Sequence, residues 1–252
     1  VLCAVLALLH ASARADDYAE TLVAQAREQR IAQSREWLRL GHYRRTLYGG
    51  LRSEADDPDF FNSPTGRTDP QAELDATLRA FFSDRPETDK QQNPQCLFVA
   101  RYRWLKSRLQ FDPARLPEQP CPRFERWRSE LDPQSVTLVF PAAYINSPAS
   151  MYGHTLLRLD GRAQSDRTRI LDYALNFAAF TGNDGGLSFA YKGLAGGYIG
   201  RFSLTPYYLK IAEYSDIESR DIWEYRLALT PDEVLRLLEH AWELGSTRFD
   251  YY

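Results

Sequence analysis

The sequence predicts an α+β fold in which a helical N-terminal part, residues 16–134, packs on an antiparallel β core, residues 135–252. In the first part, apolar residues recur at helical spacing among Arg, Glu and Gln. In the second part, short runs of β-branched and aromatic residues are separated by Gly and polar turns. Helices followed by strands along the chain are typical of this class. With 44% hydrophobic and 26% charged residues, the chain of 252 residues has the composition of a globular protein.

The first segment, residues 1–15, is an apolar run that ends in small residues, with Ala13 and Ala15 just before Asp16. This pattern is typical of the apolar region and cleavage site of a secretory signal peptide. The charged segment that begins such a signal is missing, so we expect a partial signal peptide. A buried N-terminal helix is the alternative. The signal predicts export, and no other stretch has the roughly 18 uninterrupted apolar residues typical of a transmembrane helix.

Three helices are predicted in the N-terminal part. Apolar spacing predicts the first over residues 17–40, ending at Gly41. Residues 68–71 (Thr-Asp-Pro-Gln) resemble a capping box and begin the second, which runs through Ala80. The third covers residues 94–109. Stretches rich in Gly, Asp, Pro and Ser predict loops between them.

The β-rich part contains several predicted strands and two helices. Strands are predicted over residues 136–140, 153–160, 168–179, 187–204 (a pair), 221–229 and from 248 onward. A short helix is predicted over residues 206–215. Thr230, Pro231 and Glu233 predict the start of a longer helix, because they supply a cap, a proline in the first turn and a glutamate that reaches back. That helix is expected to end near Gly245.

The two cysteines outside the signal segment, Cys96 and Cys121, have two interpretations. In an exported protein an even pair predicts a disulfide. The alternative is that Cys96 is a nucleophile, because Asn93 and Pro94 are typical of a helix start. A helix N-terminus lowers the pKa of a thiol.

Composition and spacing disfavour several other classes of site. A net charge of −3 disfavours a nucleic-acid partner. No His or Cys spacing suits zinc, so no metal is predicted. The Gly-rich run at residues 193–200 lacks the Lys and hydroxyl residue of a phosphate-binding loop, and no other cofactor is predicted.

His154 is the strongest candidate for a catalytic residue. It follows a Pro/Ser/Gly loop and begins a predicted strand, on which it shares a face with Leu156 and Arg158. If residues 153–160 and 168–179 form an antiparallel hairpin, Asn176 lies roughly opposite His154. Its amide oxygen can then fix the tautomer of the imidazole. Asp172 is the second choice for this role, and a structural role for His154 is the alternative.

A base of this kind needs a nucleophile. Ser147 and Ser150 are near His154 in sequence, but loop serines beside proline more often form turns, and neither lies in a Gly-x-Ser-x-Gly motif. Cys96 remains the other possibility within the chain.

Several motifs, in order along the chain, resemble one known family. They are Trp37-Leu38-x-Leu40-x-His42-Tyr43, Phe60-Phe61 with Ala72-Glu73-Leu74, Gln95-Cys96 with Ala100-Arg101-Tyr102-Arg103-Trp104-Leu105, Asn146-x-Pro148-x-Ser150-Met151-Tyr152-Gly153-His154-Thr155 and Glu218-Ser219-Arg220-Asp221-Ile222-Trp223-Glu224-Tyr225. Together they resemble the Lnb N-terminal periplasmic domain family of Gram-negative bacteria.

The resemblance implies a papain-like core, related to NlpC or to acyltransferases, in the periplasm. It implies that His154 pairs with a Cys in an Asn-Cys motif that follows Tyr252, so we expect the nucleophile beyond residue 252 and a β core cut at its C-terminal end. It also implies a membrane-proximal acyltransferase that moves an acyl chain from a phospholipid to the amino group of a lipoprotein. A cell-wall amidase or peptidase with the same dyad and a non-catalytic envelope scaffold are the alternatives.

Overall fold

The computed structural model describes residues 17–88, 91–142, 154–162, 165, 168–180, 198–217, 221–245 and 247–251. The chain forms two compact units, residues 1–122 with 247–250 and residues 123–246 with 251–252. Helices and antiparallel strands confirm the predicted α+β class. A papain-like core remains a prediction, and the expected signal segment lies outside the described residues.

Helices are the main secondary structure in the described part of the first unit. They are α1 (residues 17–28), α2 (Arg35–Leu40), α3 (Pro70–Ala80), α4 (Pro94–Leu97) and α5 (Val99–Leu109), with 3-10 turns at Ile31–Gln33 and Pro58–Phe60. An antiparallel hairpin pairs β1 (Tyr43–Arg45) with β2 (Leu51–Ser53). The apolar side chains of Trp37, Leu74 and Leu105 are fully buried and form part of the core.

The prediction of one helix over residues 17–40 is wrong. Arg30 has a φ of 52°, a left-handed conformation that an L-residue does not adopt within an α-helix. The chain restarts at Ser34, whose side chain accepts a hydrogen bond from the backbone N–H of Trp37 at 3.3 Å. The break separates α2 from α1, which apolar spacing alone did not indicate.

Side-chain caps begin α3 and α4. The cap of α3 is Asp69 and not the Thr68 expected from the capping-box pattern, because the Asp69 carboxylate accepts the hydrogen bonds from the first turn at 3.0 Å. Asn93 caps α4 by accepting from the backbone N–H of Gln95 at 2.9 Å, with Pro94 in the first turn. The predicted helix over residues 94–109 is therefore present, with an interruption between α4 and α5.

A buried ion pair holds α3 and α5 together. Arg101 and Glu73 are each 1% exposed, and the Nη1 of Arg101 lies 3.1 Å from the Oε1 of Glu73. The guanidinium lies between the rings of Phe60 and Phe98, 4.2 and 4.4 Å from their centroids. The carboxylate also accepts backbone hydrogen bonds at 2.9 and 3.0 Å. These contacts compensate the loss of hydration of both charges.

His42 packs among aromatic rings of the same unit. Its ring centroid lies 5.1 Å from that of Phe249 and 6.1 Å from that of Phe60. Phe249 belongs to the strand Arg248–Tyr251 and forms an antiparallel bridge with Ala55. Burial, with the charge of Arg101 second, lowers the pKa of His42 to about 4. The imidazole is therefore neutral in the folded protein at neutral pH.

The predicted disulfide is confirmed. Cys96 in α4 is bonded to Cys121, with the two Cα atoms 5.2 Å apart. Gln95 attaches the same segment further, since its side chain accepts from the backbone N–H of Gln119 at 3.0 Å and donates to the carbonyl of Phe81 at 2.9 Å. A bonded sulfur has no thiolate form, so the disulfide removes Cys96 from the candidate nucleophiles.

The described part of the second unit contains an antiparallel sheet and three helices. Its strands are β3 (Pro133–Pro141), β4 (Leu156–Gly161), β5 (Tyr173–Phe180), β6 (Tyr198–Pro206) and β7 (Ile222–Arg226), in the spatial order β7-β3-β4-β5-β6. The helices are α6 (Pro122–Leu131), α7 (Tyr207–Ile211) and α8 (Pro231–Leu244), with a 3-10 turn at Arg169–Leu171 and a π-helical turn at Ala212–Ile217. The first predicted strand of the 187–204 pair lies mostly outside the described residues.

One face of this sheet, which we call the α8 face, packs against α8. Val136 on β3 is paired with Leu159 on β4, and both form a buried cluster with Leu238 of α8. The helix begins with the predicted capping box, in which the Thr230 side chain accepts from the backbone of Glu233 and the Glu233 carboxylate accepts from Thr230.

We call the opposite face the site face. Val139 on β3, Leu156 on β4 and Asn176 on β5 are register partners and share it. Its apolar part is covered by Tyr207 of α7 and Tyr214 of the π-helical turn. Among the described residues, no helix is long and apolar enough to span a membrane.

Removing the disulfide destabilises the first unit. Closing a loop of 25 residues restricts the unfolded chain, so we expect the double variant Cys96→Ala/Cys121→Ala to lose about 3 kcal/mol of unfolding free energy. Urea denaturation of the oxidised and the reduced wild type provides the control, because reduction must reproduce most of the loss. Equal stability of the oxidised wild type and the variant contradicts the prediction.

His42 makes stability depend on pH in the acid range. The unfolded imidazole binds a proton below about pH 6.5 whereas the folded one resists protonation until about pH 4, so stability falls as the pH drops through this interval. Between pH 7 and pH 4.5 we expect His42→Asn to lose about 2 kcal/mol less than the wild type. Asparagine does not titrate and tolerates the φ of 54° at this position. Parallel pH curves from urea denaturation contradict the assignment.

Candidate active site

His154 lies two residues before the start of β4, and its ring contacts Asn176 and Tyr214 on the site face. It precedes Leu156 by two residues, and the period of two along a strand places both on the same side of the sheet. Its backbone N–H donates to the carbonyl of Pro141 at 3.3 Å, which holds it beside the end of β3. The ring is partly buried, with the ring of Tyr214 6.2 Å away between centroids.

The side chain of Asn176 contacts the imidazole directly. The Nε2 of His154 and the Oδ1 of Asn176 are within hydrogen-bond distance. An amide oxygen only accepts, so Nε2 is the donor in this contact, and the neutral form of the ring then has its lone pair on Nδ1. The register differs from the expected one by two residues, because Asn176 is opposite Leu156 and reaches His154 diagonally. Asn176 itself is buried, which fixes the orientation of its amide.

Of the other sequence-predicted candidates, Asp172 and Cys96 have other partners among the described residues. Asp172 lies before β5, where its Oδ1 accepts from the backbone N–H of Gly161 at 3.1 Å. Ser147 and Ser150 lie outside the described residues. Cys96 belongs to the first unit and is in the disulfide.

A charge cluster occupies the other end of the site face. Arg158, which is buried, lies 2.7 Å from Asp160 and 2.8 Å from Glu224 through its Nε and Nη1 atoms. The Oδ2 of Asp172 is 3.9 Å from the Nε of Arg158. The guanidinium is 5.0 Å from the ring centroid of Tyr207, whose hydroxyl donates to Glu224 at 2.7 Å. Arg158 therefore contacts three carboxylates that are largely removed from water, and Arg169 adds a second cation 3.5 Å from Glu224.

Contacts within the charge cluster shift the pKa values of Glu224 and Tyr207. Burial raises the pKa of Glu224, but the hydrogen bond from Tyr207 and the charge of Arg158 outweigh it and hold that pKa below its usual value. Burial, followed by the same hydrogen bond, raises the pKa of Tyr207. At neutral pH the carboxylate is ionised and the phenol keeps its proton.

An open cavity of about 700 Å³ exposes this cluster. It is lined by Gln134, Ser135, Thr137, Arg158, Asp160, Gly161, Arg162, Ser165, Arg169, Asp172, Glu224 and Arg226. Four arginines, three carboxylates and several hydroxyl groups suit a polar ligand. Strand alternation predicts Arg158 on the face of His154 but does not predict the cluster, because Glu224 comes from a strand 66 positions later in the chain. Alternation of polar and apolar residues along 154–160 was the available signal.

Comparison with family models shows to which family the chain belongs. The model described as the Lnb N-terminal periplasmic domain matches residues 123–252, just over half of the chain and the part that contains the sheet and His154. The chain belongs to the Lnb N-terminal periplasmic domain family. A second model, described as a domain of unknown function (DUF7843), matches residues 29–108. Comparison with curated proteins and with solved structures finds no significant match.

The Lnb domain, residues 123–252, thus carries both the His154–Asn176 pair and the charge cluster on one face. Its family name describes a periplasmic domain. Among the described residues, no group of three or more His, Cys, Asp or Glu side chains is placed to hold a metal ion.

Loss of Arg158 is expected to destabilise the Lnb domain. We expect Arg158→Met to lose about 3 kcal/mol at pH 7, because it removes the cation that contacts Asp160, Asp172 and Glu224 and leaves Glu224 with Arg169 at 3.5 Å. The loss becomes smaller towards pH 4, because Arg158 helps to lower the pKa of Glu224 and this carboxylate is protonated more readily in the variant. The matched control is Arg162→Met, which removes an exposed pair with Asp132 and changes stability by less than about 0.5 kcal/mol. Equal losses in the two variants contradict this role, and thermal and urea denaturation measure both.

Proposed function

We propose that the Lnb domain catalyses thiol-dependent acyl transfer, with His154 as the general base and acid and Asn176 as its positioning residue. One observation carries the proposal: the contact between His154 Nε2 and Asn176 Oδ1 leaves Nδ1 as the proton acceptor. A partly buried imidazole whose Nε2 is held by an amide oxygen, with Nδ1 as the other ring nitrogen, has the arrangement required of a base that activates a nucleophile.

The nucleophile of the proposed reaction is the thiol of a cysteine that the family resemblance implies after Tyr252. Nδ1 of His154 takes the thiol proton, and the thiolate attacks an ester carbonyl of a phospholipid. The tetrahedral intermediate collapses to a thioester, and the departing alkoxide takes the proton from the imidazolium. The amino group of a lipoprotein then attacks the thioester, His154 accepts its proton, and the released thiolate is reprotonated. Amide and lysophospholipid are the products.

Acceptance of an amine rather than water separates this transferase from a hydrolase. The apolar part of the site face supports it, because the rings of Tyr214 and Tyr207 cover the sheet next to His154 and exclude water from that side. An amidase or peptidase with the same dyad remains an outcome of the test below.

We place the reaction at the periplasmic side of the cell envelope. The signal-like segment at residues 1–15, the disulfide and the periplasmic domain family support this location. Disulfides persist in oxidising compartments and are rare in the cytosol.

Substitution of the pair tests the proposal in the full-length protein. Phospholipid vesicles and a lipopeptide with a free amino terminus are the substrates, and mass spectrometry of the lipopeptide follows its N-acylation. We expect His154→Ala to lower kcat about 10²- to 10⁴-fold. Asn176→Ala lowers kcat by a smaller factor, and Asn176→Asp, which keeps an accepting oxygen, restores much of the rate.

The control is Ser203→Ala, since Ser203 lies beside Asn176 on β6 and its hydroxyl donates only weakly, at 3.5 Å, to the carbonyl of Asn176. Its rate should stay within a few-fold of the wild type. Unchanged N-acylation by His154→Ala rejects the proposal and favours an envelope scaffold. Release of free fatty acid or cleavage of peptide, lost in the same variant, favours a hydrolase instead.

A further inference from the structure

The tip of the β1–β2 hairpin in the first unit is a tight turn built by three residues. The backbone N–H of Gly49 donates to the carbonyl of Thr46 at 3.0 Å, and that of Thr46 donates to the carbonyl of Gly50 at 2.8 Å. The Thr46 hydroxyl accepts a further bond from Gly50 at 3.1 Å. Gly49 has a φ of 87°, which favours glycine. The hydrogen bonds and the glycine conformation that form the turn therefore do not involve the side chains of its two central residues.

Those central residues, Leu47 and Tyr48, are fully exposed. Their relative accessibilities are 101% and 99%, the highest among the exposed large apolar residues of the described chain. Central positions of hairpin turns usually carry Gly, Asn or Asp. An adjacent leucine and tyrosine at such a tip contribute nothing to the packing of the unit, so folding does not explain their chemistry.

Basic residues flank the tip. Arg44, Arg45 and Arg52 lie on the two strands, and Glu54 is the single acidic residue between positions 43 and 54. Arg44 forms an exposed ion pair with Glu54. The hairpin is thus positive although the whole chain carries a net charge of −3.

We propose that this hairpin docks the protein on an anionic lipid bilayer. Leu47 and Tyr48 enter the interface between headgroups and acyl chains, where amphipathic aromatic rings are favoured, and the arginines bind lipid phosphates. A protein partner fits less well, because two side chains on a narrow tip fall far short of the roughly 800 Å² per partner of a stable protein interface. The proposal does not depend on acyl transfer by the Lnb domain.

Vesicle flotation with the full chain tests the docking. The probes are vesicles of phosphatidylcholine alone and vesicles with about one third phosphatidylglycerol. We expect binding to the anionic vesicles that weakens with salt. Leu47→Ser/Tyr48→Ser should lower the partition coefficient at least about ten-fold, since both apolar anchors are lost. Arg45→Gln should lower it about five-fold.

The matched control is Leu171→Ser/Tyr208→Ser, which removes one exposed leucine and one exposed tyrosine of the second unit. It should bind like the wild type, as should His154→Ala, so a failure of the proposed reaction leaves this test intact. Absence of binding, equal binding to neutral vesicles or equal losses in both double variants overturns the proposal. Sedimentation showing a self-association that only Leu47→Ser/Tyr48→Ser abolishes, without vesicle binding, assigns the hairpin to a contact between copies and also overturns it.

Discussion

The alternation of side chains along β4 decides what the site face contains. His154, Leu156 and Arg158 follow one another at intervals of two residues, so β4 and the residue two positions before it present an imidazole, an apolar contact and a buried cation on the same side of the sheet. A shift of the strand by one residue would move all three to the α8 face, where α8 packs. The pairing of Val136 with Leu159 opposes such a shift, because it would transfer their apolar side chains to the site face. The core of the second unit therefore also sets the geometry of its polar site.

The His154–Asn176 pair and the charge cluster on the site face are stabilised in different ways. At one end, an imidazole and an uncharged amide share one hydrogen bond, which orients the ring. At the other end, Arg158 and its carboxylates are stable only as a complete set, because each charge depends on the others for the hydration that burial has removed. Tyr207 connects the two regions, since its ring covers the apolar middle of the face and its hydroxyl bonds Glu224.

The first unit also buries a cation, which it stabilises through different contacts. Arg101 is enclosed by two aromatic rings and one carboxylate, and the disulfide and Gln95 attach the extended segment around Cys121 to α4. In contrast to these buried contacts, Leu47 and Tyr48 at the tip of the hairpin are fully exposed. The buried charge of Arg101 has partners within the first unit, whereas the hairpin tip exposes apolar side chains to the solvent. The packing of the unit therefore does not explain why the tip is apolar.

The sequence by itself determined the features that depend on near neighbours. These include the α+β class, the caps at Asn93 and Thr230, the cysteine pair and the location of His154 just before a strand. Only the tertiary structure decided the break at Arg30, the diagonal reach of His154 to Asn176 and the meeting of Arg158 with Glu224. The physical reason is range: propensities and caps act over a few residues, whereas strand register and charge compensation depend on chain segments brought together by burial of the shared core.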